Sequence, residues 1–229
     1  MSDSTSIALV TGGNRGIGLA IARALQSEGH RVVITYRSGT PPLGFDAVQM
    51  DVTDGQSVES AFAKIENEIG QPEIIVANAG ITKDTLVMRM SDEDFESVIN
   101  ANLTGAFRVS KRATKGLLKL KRGRLIFIGS VVGGVGAAGQ VNYSASKSGL
   151  VGMARSFARR RTQHGFVGAR HFTVSGAASG RRLGCAIGAF ACHARGRRHS
   201  SKFASHARGH PFAAPVCGRQ HSNAAAACA

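Results

Sequence analysis

One local grammar repeats through the first 158 residues, and it limits the folds open to this chain more than any other feature. Short apolar runs rich in β-branched residues occur at 7–11, 32–36, 47–50, 74–77 and 125–128. Between most of them lie stretches with helical spacing. Ile17, Ile21, Ala24 and Leu25 share one face, and Val58, Ala61, Phe62 and Ile65 share another. Near-continuous apolar strands alternating with amphipathic helices predict a parallel sheet covered on both faces, an α/β doubly wound (Rossmann) architecture. Residues 100–120 read as a long helix with a basic exposed side (Arg108, Lys111, Arg112, Lys115, Lys119). Residues 141–159 read as another, with Leu150, Met153, Ala154 and Phe157 on its apolar side.

Hydrophobic residues make up 43% of the 229, enough for a packed core, which excludes a chain disordered throughout and a small disulfide scaffold. The net charge of +15 points at first to nucleic acid or an anionic surface. Its distribution argues otherwise. Residues 1–158 hold seventeen basic and all fourteen acidic residues, whereas residues 159–229 hold twelve basic residues and no acid. All four cysteines and seven of the eight histidines also fall after residue 158. The chain therefore divides by composition into 1–158 and 159–229. Residues 1–6 are short and polar, so no secretory signal is expected, and the most apolar stretch (125–139) is too broken by glycine to span a bilayer. The absence of cysteine before residue 159 suits a reducing compartment. The expectation is a soluble cytoplasmic protein.

The first chemical motif is Thr11-Gly12-Gly13-Asn14-Arg15-Gly16-Ile17-Gly18, set between a strand and a helix. Glycines at 12, 16 and 18 let the backbone turn tightly and approach a pyrophosphate, toward which the helix points its positive end. A glycine-rich turn with no ligand is the alternative. At the end of the second strand, an NAD site would place a carboxylate for the ribose 2′-hydroxyl. Here the strand ends Thr35-Tyr36-Arg37, and Arg37 with Arg15 suits a 2′-phosphate, so NADP is expected. An ordinary solvated arginine is the other reading. Asp51-Val52 after the third strand suits an adenine edge, unless Asp51 caps the next helix. Asn78-Ala79-Gly80 after the fourth suits a close approach to the adenine ribose.

Ser130 closes the fifth strand, Tyr143 follows thirteen residues later, and Lys147 lies four beyond that. On a helix, Tyr143 and Lys147 share a face. A phenol with an ordinary pKa near 10 is a poor proton carrier at neutral pH, and an ammonium beside it favours phenolate. Ser130, at the carboxyl end of a strand, can hold a substrate oxygen against that phenol. An isolated Tyr-x-x-x-Lys is otherwise an exposed helical pair.

In order and spacing, the glycine loop, Asn78-Ala79-Gly80, Asn102-Leu103-Thr104-Gly105, Ser130 and Tyr143-Ser-Ala-Ser-Lys147 resemble the short-chain dehydrogenase/reductase family. Within it the chain is similar to the NADPH-dependent 3-oxoacyl-(acyl-carrier-protein) reductases of fatty acid synthesis. Residues 98–109 and Asn14-Arg15 are most like the form serving mycolic acid synthesis. The resemblance runs from about residue 6 to 158. It implies that Tyr143 donates a proton to the substrate carbonyl oxygen as hydride arrives from the nicotinamide, which is general acid catalysis with cofactor chemistry. It further implies that Lys147 lowers the Tyr143 pKa and binds the nicotinamide ribose, that Ser130 orients and polarises the carbonyl, and that Asn102 positions a water in a proton relay to Lys147. Members are usually homotetramers that pair the two long helices. Acyl carrier protein is acidic, which makes Lys119, Lys121, Arg122 and Arg124 docking candidates, or simply a solvated basic turn.

After residue 158 the family pattern calls for a strand, a Pro-Gly turn, a substrate-covering segment, a helix and a last strand. Phe172-Thr173-Val174 passes for that strand, and Phe166-Val167 is also strand-like, but Ser175–Gly180 contains no proline and nothing later matches. The favoured reading of 159–229 is out-of-frame translation of a region that once completed the reductase. The competing readings are a basic arm binding nucleic acid and a metal site using Cys185, Cys192, His193 and His199, although no Cys-x-x-Cys pair exists. A sheet that stops at its fifth strand would leave its edge and the apolar face of the 141–159 helix uncovered. Little reductase activity is expected of such a chain.

Overall fold

The computed structural model describes residues 5–159, 168–174 and 187–188. All of these belong to the first of two units into which the chain divides, Met1–Cys192 and His193–Ala229. Five strands follow the predicted apolar runs: β1 (Ile7–Val10), β2 (Arg31–Tyr36), β3 (Asp46–Gln49), β4 (Ile74–Ala77) and β5 (Arg124–Ser130). A sixth strand, β6 (Gly168–Val174), and a two-residue β7 (Ile187–Gly188) complete the order β3-β2-β1-β4-β5-β6-β7. All pairings are parallel except β6 with β7.

The helices are α1 (Gly16–Ser27), α2 (Gly55–Glu68), α3 (Asp92–Ile99), α4 (Gly105–Leu120), the short α5 (Val132–Val135) and α6 (Val141–Arg159). Alternation along the strands sends successive side chains to opposite faces. Leu9, Val33, Ile75, Leu125 and Phe127 meet Phe62 and Ile65 of α2, Val109 and Leu117 of α4 and Leu150 of α6. Ala8, Val10, Ile34, Val76 and Ile128 form the opposite layer with Ala22 of α1. No helix among the described residues is long and apolar enough to cross a membrane.

Three expectations need correction. The region 100–120 is not one helix from its start: α3 runs directly into a π turn, Asn100–Thr104, from which α4 continues. Its basic side is also partly turned inward. Arg112 donates to both Glu66 carboxylate oxygens (2.8 and 2.7 Å) and to Glu59 (2.8 Å), and its guanidinium lies 5.1 Å from the Phe62 ring centroid. Arg108 donates to the Val52 carbonyl (3.3 Å) and to Asn100 Oδ1 (2.8 Å). Third, the sheet does not stop at β5. β6 pairs along its whole length, from Arg124↔Gly168 to Ser130↔Val174. The apolar face of α6 is covered as well, because Leu150 and Ala154 are buried and the Phe157 ring stacks on Phe127 at 6.0 Å. Phe166-Val167 and the Cys185, Cys192, His193, His199 set lie outside the described residues.

Candidate functional site

The chain winds outward through β2 and β3, then returns to place β4 on the other side of β1. In an open parallel sheet such a reversal is where a crevice forms at the carboxyl ends of the strands, here beside the loops leaving β1 and β4. The two loops are stitched together. The Thr11 hydroxyl donates to the Val76 carbonyl (3.3 Å) and accepts from the N–H groups of Asn78 and Ala79 (3.0 Å each). Asn78 Nδ2 donates to the carbonyls of Thr11 (2.9 Å) and Gly12 (3.2 Å). Asn78 therefore shapes the glycine loop with its side chain, and Ala79 and Gly80 present backbone beside it.

Gly12 and Gly16 hold left-handed φ angles of +63° and +55°, which glycine adopts freely. Gly18 acts differently. A Cβ at Gly18 would sit 2.3 Å from the Gly12 carbonyl oxygen and 2.5 Å from Asn78 Nδ2, so its absence lets α1 seat against the loop. The first turn of α1 carries no acidic residue, and the preceding Arg15 gives no side-chain cap. Arg15, Gly16 and Ile17 are exposed, and the space a Cβ on Gly16 would enter is open. Unmet N–H groups at the positive end of a helix dipole, facing open space, fit a pyrophosphate.

Arg37 is exposed at the end of β2, and its carbonyl accepts from Gln49 Nε2 (2.9 Å). Asn14 Nδ2 reaches the Ser38 carbonyl (3.5 Å), tying the glycine loop to that strand end. Asp51 does not cap α2; Asp54 does, accepting from the N–H groups of Gln56 (3.0 Å) and Ser57 (3.1 Å). The Asp51 carboxylate instead accepts from the Thr53 N–H (2.8 Å) and hydroxyl (2.7 Å). Burial pushes the Asp51 pKa up, but the Thr53 bonds and then the charges of Arg37 and Arg108 leave it below the usual carboxylate range. Val52 turns its side chain into the core, so of this pair only Asp51 offers a side chain at the end of β3, and Val52 offers its backbone.

On the other side of the crevice, Ser130, Tyr143 and Lys147 come together from the end of β5 and the start of α6. Lys147 is 6% exposed; its Nζ donates to the Ile128 carbonyl (2.9 Å) and lies 5.6 Å from the Tyr143 ring centroid. Burial lowers its pKa from 10.5 to about 8. Tyr143 is half-buried, and that burial raises the phenol above its ordinary value; the Ser130 hydroxyl opposes the rise and the charge of Asp84 adds to it. The expected lowering of this pKa by the ammonium is thus reversed in this structure. Desolvation is the largest cause, and the Lys147 amine is directed at a backbone carbonyl.

Asn102 lies in the π turn, 1% exposed. Its Nδ2 donates to the Ile81 carbonyl (3.0 Å) and Ser146 Oγ (3.1 Å), and its Oδ1 accepts from the Ile81 N–H (2.7 Å). Both amide protons are therefore engaged by the protein, and Asn102 joins the loop after β4 to α6. Gly80 makes room for it, since a Cβ there would lie 2.8 Å from Asn102 Oδ1. The Thr11 hydroxyl, Ser146, Arg108 and Asp84 are absent from the predicted site. Each makes a contact across 44 or more positions in sequence, and no spacing rule reports such contacts.

The family model described as short chain dehydrogenase matches residues 6–170, which carries the likeness past residue 158 into β6. The chain is 55% identical over 151 residues to the 3-oxoacyl-(acyl-carrier-protein) reductase MabA of Mycobacterium tuberculosis, covering 66% of this chain and 61% of the relative. The Mycobacterium avium reductase of the same name is 52% identical over 157 residues, covering 69% and 62%. The 3-oxoacyl-(acyl-carrier-protein) reductase FabG of Escherichia coli is 44% identical over 173 residues, covering 72% and 71%. The match thus spans about three fifths of the length of the mycobacterial relatives.

Proposed function

The chain belongs to the short-chain dehydrogenase family, and from that membership we propose that its site is built to reduce 3-oxoacyl thioesters carried by acyl carrier protein, with NADPH as reductant. The observation that carries the reading is the meeting of Ser130, Tyr143 and Lys147 beside an uncapped glycine-loop helix. NADPH, when bound, supplies hydride. Gly12, Asn14, Arg15, Gly16, Ile17 and Gly18 hold its pyrophosphate, Arg37 its 2′-phosphate, and Asp51, Val52, Asn78, Ala79 and Gly80 line the adenosine side. Ser130 orients the ketone oxygen and Tyr143 gives it a proton. Lys147 then stabilises the resulting phenolate, and Asn102 holds the loop and helix that frame them. The names of the relatives support this substrate class.

The exposed basic residues at the end of α4 and just beyond it suit an acidic carrier protein: Lys119, Lys121 and Arg124, with Arg122 paired to Glu73 at 2.8 Å. Phe107 and Leu118, exposed on α4, suit pairing of the long helices in a homo-oligomer. The sequence after residue 174 carries no Pro-Gly pair and no match to the family pattern, which supports low turnover by this chain. The test is NADPH consumption with a 3-oxoacyl thioester, run beside NADPH binding read from its own fluorescence. Binding with slow turnover is expected; no binding would overturn the reading, and fast turnover would overturn the impairment.

The cofactor preference has its own test. Arg37→Ala is expected to weaken NADPH binding about tenfold, the worth of a charge-assisted hydrogen bond to phosphate, and to leave NADH binding unchanged. Equal loss for both dinucleotides would remove Arg37 from the 2′-phosphate site.

A further inference from the structure

The segment that leads into Tyr143 is fastened to the loop after β4 by three bonds. The Thr85 N–H donates to the Gly139 carbonyl (2.9 Å), Gln140 Nε2 donates to Asp84 Oδ2 (2.6 Å), and Asn142 Nδ2 donates to the Lys83 carbonyl (3.0 Å). Two of these are backbone contacts that any residue at 83 or 85 would make. The third depends on the Asp84 carboxylate, and Gln140 lies three positions before Tyr143, about one helical turn.

We infer that Asp84, tied down by Gln140, is a positioning residue for Tyr143: it fixes the entry of α6 and keeps a negative charge beside the phenol. The inference rests on the reading of Tyr143 as the proton donor. Without that tie an exposed aspartate would swing into solvent, where its field is screened. Among the described residues, three groups bear on the phenol. Lys147 comes from its own helix, Ser130 from β5, and Asp84 from the loop. Asp94 of α3, which packs on α6, is paired with Lys83 and so is largely neutralised. Asp84 is therefore the anion that opposes Lys147. Its field works in the same direction as burial and favours the proton-carrying form of the phenol.

The composition offers a reporter. The chain has no tryptophan and two tyrosines, Tyr36 and Tyr143. In a Tyr36→Phe background, the ultraviolet absorbance of tyrosinate therefore titrates Tyr143 alone, with no substrate or cofactor. Asp84→Asn keeps an oxygen for Gln140 and removes the charge; it is expected to lower the Tyr143 midpoint by roughly 0.3 to 0.5 pH unit, the scale of a partly exposed charge pair. Gln140→Ala is expected to lower it by part of that amount. The double variant should go no lower than Asp84→Asn, because the two residues act as one device. An unchanged or raised midpoint in Asp84→Asn overturns the inference, as does full additivity. These outcomes hold whether or not the chain turns over a thioester. Failure of the titration is therefore distinct from failure of the proposed reaction, which the NADPH assay reports.

Discussion

Tyr143→Phe is expected to lower NADPH-dependent reduction of a 3-oxoacyl thioester by about 10²–10⁴-fold, the contribution of a placed general acid, with NADPH affinity nearly unchanged. Among the described residues, the phenol is the proton carrier that meets the Ser130 hydroxyl at the carboxyl end of β5, and its raised pKa keeps it protonated at neutral pH. Phenylalanine retains the ring but has no proton to give. The pH profile should carry the mark of the other partner. Lys147 loses its proton near pH 8, well before the phenol does, so the alkaline limb of the rate is expected near 8. Below that pH the buried ammonium is charged and able to stabilise the phenolate. The same shift has a stability consequence. Between about 8 and 10.5 the unfolded chain holds more protons than the folded one, so stability rises with pH across that window and falls as pH drops through it. Lys147→Met should flatten that slope in urea unfolding. A rate for Tyr143→Phe within a few-fold of the parent chain would remove Tyr143 from the chemistry.

The second large effect lies across the crevice. Gly18→Val is expected to abolish measurable NADPH binding and to cost about 1–3 kcal/mol of stability, the usual penalty for forcing side-chain volume into a filled space. A Cβ at residue 18 meets the Gly12 carbonyl oxygen at 2.3 Å and Asn78 Nδ2 at 2.5 Å, so either α1 backs away or the Asn78–Gly12 bond opens. Both outcomes dismantle the stitched pair of loops. Gly16→Ala is the informative contrast. Nothing lies within 4 Å of its Cβ position, so its cost is backbone strain in the left-handed region, about 1–2 kcal/mol, with the α1 seat preserved. Titration of NADPH fluorescence and a thermal melt separate the two. Equal behaviour of the variants would mean that close packing at Gly18 does not set the shape of the loop.

Local signals in the sequence were sufficient for the five parallel strands, for α1, α2 and α6, and for the glycine turn. Strand burial and helix periodicity are properties of neighbouring residues, and the Tyr143-x-x-x-Lys147 face follows from helical pitch alone. Likeness to a family then grouped Ser130, Asn102 and the glycine loop into one expectation. The π turn at 100–104 was not legible, because an extra residue in a helical turn leaves the apolar spacing on either side intact. The inward turn of Arg108 and Arg112 was not legible either, since a basic residue on a helix face looks the same whether it meets water or Glu66 on α2.

Sequence by itself determined the strand-and-helix alternation, the absence of a carboxylate after β2, and the abrupt change of composition past residue 158, since each is written in residues close along the chain. Tertiary structure alone decided that β6 covers the edge of β5, that Asn78 and Asn102 use their amides to bind loops together, and that burial holds the Tyr143 phenol above its ordinary pKa. The physical reason is common to all three: hydrogen-bond partners and desolvation are set by residues distant in sequence, and they exist only once the sheet has brought those residues together.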